Sequence, residues 1–111
     1  MKFKELIIGD KIEYNTKKIY KILNDMGFHW LIDAEFIDAK IEISNNTIIW
    51  NEGTWLYGNW KYGIWLNGDF KGGIWENGIW ENGNFEGTFL SGIFKDGNVS
   101  NAKKVVSITK K

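Results

Sequence analysis

Residues 50–99 read WNEGT WLYGN WKYGI WLNGD FKGGI WENGI WENGN FEGT FLSGI FKDGN V. A large apolar residue, nearly always aromatic, opens each unit, and a glycine follows it three residues later. The unit that begins at Phe85 is one residue short, and both the anchor and the glycine shift together after it. The segment is therefore a run of pentad repeats, in which each unit has the same structural role.

We predict that the aromatic anchors form the core of this repeat. Glycine and the next anchor are two residues apart, which places both on the same face of a strand and turns the residue between them outward. Small glycine then leaves room for the large ring. Val99 takes the last anchor position. The ten predicted core residues are Trp50, Trp55, Trp60, Trp65, Phe70, Trp75, Trp80, Phe85, Phe89 and Phe94.

Turn chemistry recurs between the anchors. An Asn or Asp precedes glycine in Asn67-Gly68, Asn77-Gly78, Asn82-Gly83 and Asp96-Gly97, and glycine accepts positive φ without steric penalty. A short extended stretch followed by a corner, repeated about ten times, predicts a mainly β protein whose repeat is a β-solenoid.

The pattern resembles the pentapeptide-repeat family, whose right-handed, four-sided β-helix also places a small and a large residue two apart on the inside. The central residue of that family is usually Leu or Phe and its small residue usually Ala, whereas this chain has mostly Trp and always Gly. Runs such as GIWENGIW at 73–80 also resemble uncharacterised Trp-Gly pentad proteins encoded by bacteriophages. That resemblance implies a phage-encoded repeat protein and no known activity.

Charge pairing between coils leaves the coil length open. Four pentads per coil, giving about two and a half turns, would place Lys61 over Glu81 and Glu76 near Lys95. Three pentads would instead place Lys61 over Glu76 and Lys71 over Glu86. Both arrangements are favourable. An alternative fold is an antiparallel β-meander of the MORN type, with hairpins at the Asn-Gly pairs.

The segments on either side of the repeat have their own patterns. Residues 1–49 predict an α/β cap with three parts: a hairpin within 1–14 around Gly9-Asp10, a helix from Asn15 or Thr16 to Gly27, and strands from Trp30 onward with a turn at Asn45-Asn46. Residues 50–99 form the solenoid, and residues 100–111 form a basic C-terminal strand or tail. Repeat arrays need such caps because an open end exposes a strand edge and the core.

Composition excludes several function classes. Fourteen Lys balance fourteen Asp plus Glu, with three Lys and six acidic residues in the repeat, and the chain has neither Arg nor Cys. Such a balanced charge gives an electrostatic field too weak to steer the protein toward nucleic acid or an anionic membrane. Because the chain lacks cysteine, disulfides and thiolate metal sites cannot form. With no export signal or membrane-spanning stretch evident, we expect a cytoplasmic location, or a virion-associated one if the protein is phage-encoded.

No pattern of residues indicates catalysis. His29 is the only histidine, so a protein-only nitrogen or sulfur metal site is not expected. Asp33, Glu35 and Asp38 lack the spacing of a calcium loop, and the serines lack a nucleophile elbow. We therefore predict that the protein is not an enzyme and uses no cofactor or metal.

Surplus apolar residues suggest a binding surface instead. On a four-sided coil, Thr54, Ile74 and Ile93 would align as one vertical row, which we take as a candidate docking strip. The expected function is a non-enzymatic structural or protein-interaction module that self-associates or binds a protein partner through a rigid solenoid surface. Two alternatives are a DNA-mimicking regulator of host machinery and a glycan-binding protein that uses exposed Trp rings.

Overall fold

The computed structural model describes residues 2–100 and 104–105. The protein is mainly β, with 48% strand and 15% helix. An N-terminal cap of strands and helices leads into a β-solenoid of about three turns. The predicted fold class, a β-solenoid with a small α/β cap, is confirmed.

The cap begins with the predicted hairpin and helix. Strands β1 (Phe3–Ile8) and β2 (Lys11–Glu13) pair antiparallel, and helix α1 (Thr16–Asp25) follows. The Asn15 side chain accepts a hydrogen bond from the Lys18 N–H and so caps the helix. Ile19 and Leu23 of α1 are buried.

Residues 29–33 differ from the expectation. We expected a strand from Trp30, but His29–Asp33 form a second short helix, α2. Phe28, Leu31 and Ala34 are buried at intervals of three residues, and this helical spacing prevails over the two-residue alternation that also runs through the segment. The strand starts only at Glu35.

Two long strands connect the cap to the solenoid. Strands β3 (Glu35–Ser44) and β4 (Thr47–Tyr57) pair antiparallel. Asn45 and Asn46 join them with φ of 49° and 60°, as the tight turns of hairpins with two-residue loops require. β3 also pairs parallel with β1, so the cap and the first coil share one sheet.

The remaining strands have two residues each and occur once per repeat unit up to Val99. They are β5 (Asn59–Trp60), β6 (Ile64–Trp65), β7 (Asp69–Phe70), β8 (Ile74–Trp75), β9 (Ile79–Trp80), β10 (Asn84–Phe85), β11 (Thr88–Phe89), β12 (Ile93–Phe94), β13 (Asn98–Val99) and β14 (Lys104–Val105). Every described pair among them is parallel, which contradicts the antiparallel meander. Apart from Ser100 and β14, the predicted tail lies outside the described residues.

Three pentads complete one coil. Trp50 is in register with Trp65, Trp65 with Trp80, and Trp80 with Phe94. The repeat distance is therefore fifteen residues, or fourteen across the short unit. The four-sided coil of the pentapeptide-repeat resemblance is wrong for this chain, and the three-pentad alternative is correct. Lys61 accordingly lies 2.8 Å from Glu76.

The coil has three faces, which we name by their outward residues. The isoleucine face carries Ile49, Ile64, Ile79 and Ile93. The amide face carries Thr54, Asp69, Asn84 and Asn98. The mixed face carries Asn59, Ile74 and Thr88.

Inside the coil, the anchors form three stacked columns. The first column stacks Trp50 on Trp65 and Trp65 on Trp80, with centroid distances of 4.7 and 4.9 Å and interplanar angles of 6° and 8°. Between columns the rings meet edge to face, as Trp60 and Trp65 do at 5.6 Å and 77°. Phe36 of β3 stacks on Trp55 at 5.7 Å, so the cap covers the start of the column that Trp55 begins.

The glycines permit the close approach of successive coils. Gly68 has a φ of 121°, a backbone conformation that residues with a side chain rarely adopt. A Cβ there would also collide with the carbonyl oxygen of Gly53 in the preceding coil. The sequence indicated that glycine makes room for the aromatic rings. The nearest obstacle at Gly68 is instead the backbone of the neighbouring coil.

Pairs of engineered cysteines test the coil length, because the chain has no cysteine of its own. We expect Ile64→Cys with Ile79→Cys to cross-link readily under mild oxidation or with a short thiol reagent, since these positions are in register on adjacent strands. The control pair, Ile64→Cys with Asn84→Cys, has the spacing of a four-pentad coil and lies on two different faces. Preferential cross-linking of the control pair, measured by mass spectrometry, would contradict the three-sided coil.

Alanine substitutions test the role of the glycine corners. Gly68→Ala should lower the free energy of unfolding by about 3 kcal/mol or more, because it combines backbone strain with a collision against Gly53. Gly9→Ala is the control. Gly9 has a φ of 60° and open space around its Cβ position, so only about 1 kcal/mol should be lost. Urea denaturation followed by circular dichroism measures both, and equal losses would refute the role assigned to the corner.

Candidate interaction surface

One row of six isoleucines, interrupted by Glu42 between Ile49 and Ile7, crosses the outer surface of the largest sheet. Strands β12, β9, β6, β4, β3, β1 and β2 lie in that order. Following the register outward from the solenoid gives Ile93, Ile79, Ile64, Ile49, Glu42, Ile7 and Ile12. Seven strands spaced by about 4.8 Å make a row roughly 29 Å long.

The row follows directly from the pentad. Each solenoid isoleucine immediately precedes an inward aromatic anchor, so the alternation of a strand turns it outward. The four residues of the isoleucine face are half-buried, because neighbours in adjacent strands pack side against side. Leu66, two residues beyond Ile64, is 39% exposed, and Ile12 at the end of the row is 50% exposed. The isoleucine face is thus a continuous apolar ridge.

Charged pairs lie around this ridge. Lys95 and Glu81 are 3.2 Å apart near the C-terminal coils. Lys4 and Glu52 are 3.3 Å apart where the cap joins the solenoid, and Lys40 lies 3.8 Å from Glu5. An apolar centre with a polar rim is the usual arrangement of a protein interface.

The amide face has a different chemistry. The Asn98 Nδ2 donates a hydrogen bond to the Asn84 Oδ1 at 3.0 Å, and the Asn84 Nδ2 donates to the Asp69 Oδ1 at 2.9 Å. This ladder joins three coils through their outward side chains. Its polar groups bind one another, so this face offers less apolar area for docking than the isoleucine face.

The candidate docking strip predicted from a four-sided coil is not formed. Thr54 pairs with Asp69 on the amide face, Ile74 pairs with Asn59 and Thr88 on the mixed face, and Ile93 pairs with Ile79 on the isoleucine face. A coil of three pentads separates residues that a coil of four would align. Isoleucines recurring fifteen residues apart at 49, 64 and 79 were the signal for the true row.

All ten predicted core residues are at most 1% exposed: Trp50, Trp55, Trp60, Trp65, Phe70, Trp75, Trp80, Phe85, Phe89 and Phe94. None of these rings is available as an external ladder for sugars or bases. Val99, at the last anchor position, is 42% exposed. The six buried indole N–H groups have no hydrogen-bond partner within the described chain.

The polar residues considered for chemistry do not assemble into a centre. His29, Asp33, Glu35 and Asp38 are all exposed. Among the residues that the structure describes, no group of three or more His, Cys, Asp or Glu side chains could hold a metal ion. No helix in the same part of the chain is long and apolar enough to span a membrane.

Comparisons with known proteins found no match: no protein-family model, no curated protein and no solved structure is significantly similar to this chain.

Proposed function

We propose that this protein is a non-enzymatic structural or protein-interaction module that docks through the isoleucine face. The observation that carries the proposal is the uninterrupted row Ile49, Ile64, Ile79 and Ile93 on adjacent parallel strands. The alignment of these isoleucines depends on the fixed register of the coil, so the surface exists before a partner binds.

Rigidity favours binding by this surface. Isoleucine is branched at Cβ and has few side-chain rotamers, and each one here is held by its neighbours across the sheet. Little conformational entropy is therefore lost when a partner packs against the row, and preorganisation of this kind raises affinity.

The free energy gained by burying these apolar side chains limits how stable a complex the isoleucine face can form. Completing the burial of the four half-buried isoleucines and of Leu66, which is 39% exposed, contributes at most about 1 kcal/mol per side chain, roughly a third of the value of full burial. Association itself costs about 4–15 kcal/mol in lost freedom of motion. The ridge alone therefore supports weak association, and a stable complex also needs contacts from the polar rim.

A second copy of the chain is the partner that this geometry fits first. The row is straight and consists of one residue type, so a two-fold axis can place it against itself with aliphatic groups meeting aliphatic groups.

The resemblance of the pentads to bacteriophage Trp-Gly proteins supports a phage origin, with the module in the cytoplasm or in the virion, as part of the same proposal. Glu76 and Glu81 are paired with lysines, so the mimicry of DNA receives no support from them.

Charge substitutions on the isoleucine face test this function. Ile64→Lys with Ile79→Lys should abolish self-association while leaving the fold intact, because both side chains point outward. Light scattering coupled to size exclusion should give twice the 12.9 kDa chain mass for the wild type and the single chain mass for the double variant.

Asn84→Lys provides the matched control. Asn84 occupies the equivalent outward position in its pentad but lies on the amide face, so this variant should associate like the wild type. Unchanged association of the double variant would remove the isoleucine face as the docking surface. A wild type that stays monomeric at high concentration would refute self-association.

A further inference from the structure

A depression of about 340 Å³ lies where the cap meets the first coil, lined by Trp30, Asp33, Ala34, Gly58, Asn59 and Lys61. We propose that it binds a single neutral sugar ring of a glycan. Its volume is at the lower end of the range of about 300–1,000 Å³ for small-molecule sites. This site lies beside strand β5 on the mixed face, so the proposal is independent of docking by the isoleucine face.

Trp30 is the first component of the site. It lies in α2 and is only partly buried, whereas the other six tryptophans of the chain are fully buried. Its ring centroid is 5.2 Å from that of Trp60, in an edge-to-face contact at 74°, and 6.2 Å from that of Tyr62. These contacts hold the indole in place, and a fixed aromatic ring can stack on the apolar C–H face of a pyranose with little further ordering.

The polar lining supplies both donors and acceptors. The Asp33 carboxylate accepts hydrogen bonds, the Asn59 amide donates and accepts them, and the Lys61 ammonium donates. Asp33 and Asn59 are exposed, so both can exchange water for ligand hydroxyls. Adjacent hydroxyls of a sugar act as donor and acceptor at once, which this mixed set of groups matches.

The charge balance selects among ligands that could stack on Trp30. Lys61 lies 2.8 Å from Glu76, so its charge is largely offset, and Asp33 adds a negative charge to the lining. Phosphorylated or sulfated ligands therefore find no net positive site. A neutral polyol does not meet this electrostatic objection.

The walls of the depression are tightly built. A Cβ added at Gly58 would lie 2.8 Å from the Ala34 Cβ, so the end of α2 packs directly against the first coil. The positions of Asp33 and Asn59 relative to Trp30 are consequently fixed by backbone packing. An open depression of this size predicts a dissociation constant on the order of 1 mM for a short oligosaccharide.

Indole N–H signals in a two-dimensional proton–nitrogen NMR spectrum provide the test. Cellotetraose, maltotetraose and a trimer of N-acetylglucosamine, each titrated to about 50 mM, are the neutral probes. At least one probe should shift the Trp30 signal, assigned from Trp30→Phe, in a saturable way, while the six buried indoles stay unchanged. Sodium phosphate should produce no saturable shift.

Variants distinguish this site from other exposed rings. Asp33→Ala and Asn59→Ala replace exposed side chains and should each weaken binding about tenfold, equivalent to the loss of roughly one hydrogen bond. Tyr57→Ala removes a 70% exposed ring outside the depression and should leave binding unchanged. No shift with any neutral probe, wild-type affinity in both the Asp33→Ala and Asn59→Ala variants, or saturable phosphate binding at Trp30 would overturn the proposal.

Discussion

The hydrogen-bonded spacing between successive coils is the constraint on which the rest of this structure depends. Backbone N–H groups of Leu66, Glu81 and Lys95 each donate at 2.8 Å to the carbonyl of the anchor one coil earlier. Rings carried by coils at this spacing must stack face to face, and the three columns do so with nearly parallel planes. The same spacing brings the corners so close together that only glycine fits at Gly68, Gly78 and Gly83. The stacked Trp anchors and the Gly corners are thus both consequences of the same spacing between successive coils.

This core has a cost that its packing must offset. Six buried indole N–H groups lack an acceptor in the described chain, and each such group costs about 1–3 kcal/mol. Full burial of a large side chain contributes about 1.5–3 kcal/mol, and favourable ring pairs add about 0.5–1.5 kcal/mol each. Every Trp anchor makes both stacked and edge-to-face contacts, as Trp65 does with Trp80 and Trp60. Dense aromatic contact therefore compensates for the missing hydrogen bonds.

Local pattern was enough to predict the pentad strands, the inward anchors, the first hairpin and α1, because each depends on neighbours close in sequence. Charge pairing did not decide the coil length, since Lys61 can pair favourably with either Glu76 or Glu81, and the fifteen-residue recurrence of isoleucine was the signal that could have decided it. The candidate surface was misplaced for the same reason: Ile93 aligns with Ile79 instead of Ile74 only when a coil holds three pentads. Helix α2 was missed because Trp30 and Ile32 fit a strand while Phe28 and Leu31 fit a helix. The depression beside Trp30, which depends on α2, could not have been located either.

Six tryptophans are sealed inside a three-sided coil, and Trp30 alone among the tryptophans contacts solvent. Acrylamide quenching of tryptophan fluorescence in the wild type and in Trp30→Phe distinguishes buried from exposed indoles and so tests this arrangement. We expect acrylamide to quench only a minor fraction of wild-type emission, and Trp30→Phe to keep a blue-shifted emission that acrylamide scarcely quenches. Ready quenching of the variant, with the red-shifted emission of hydrated indole, would show that the anchors are exposed and would contradict the sealed core.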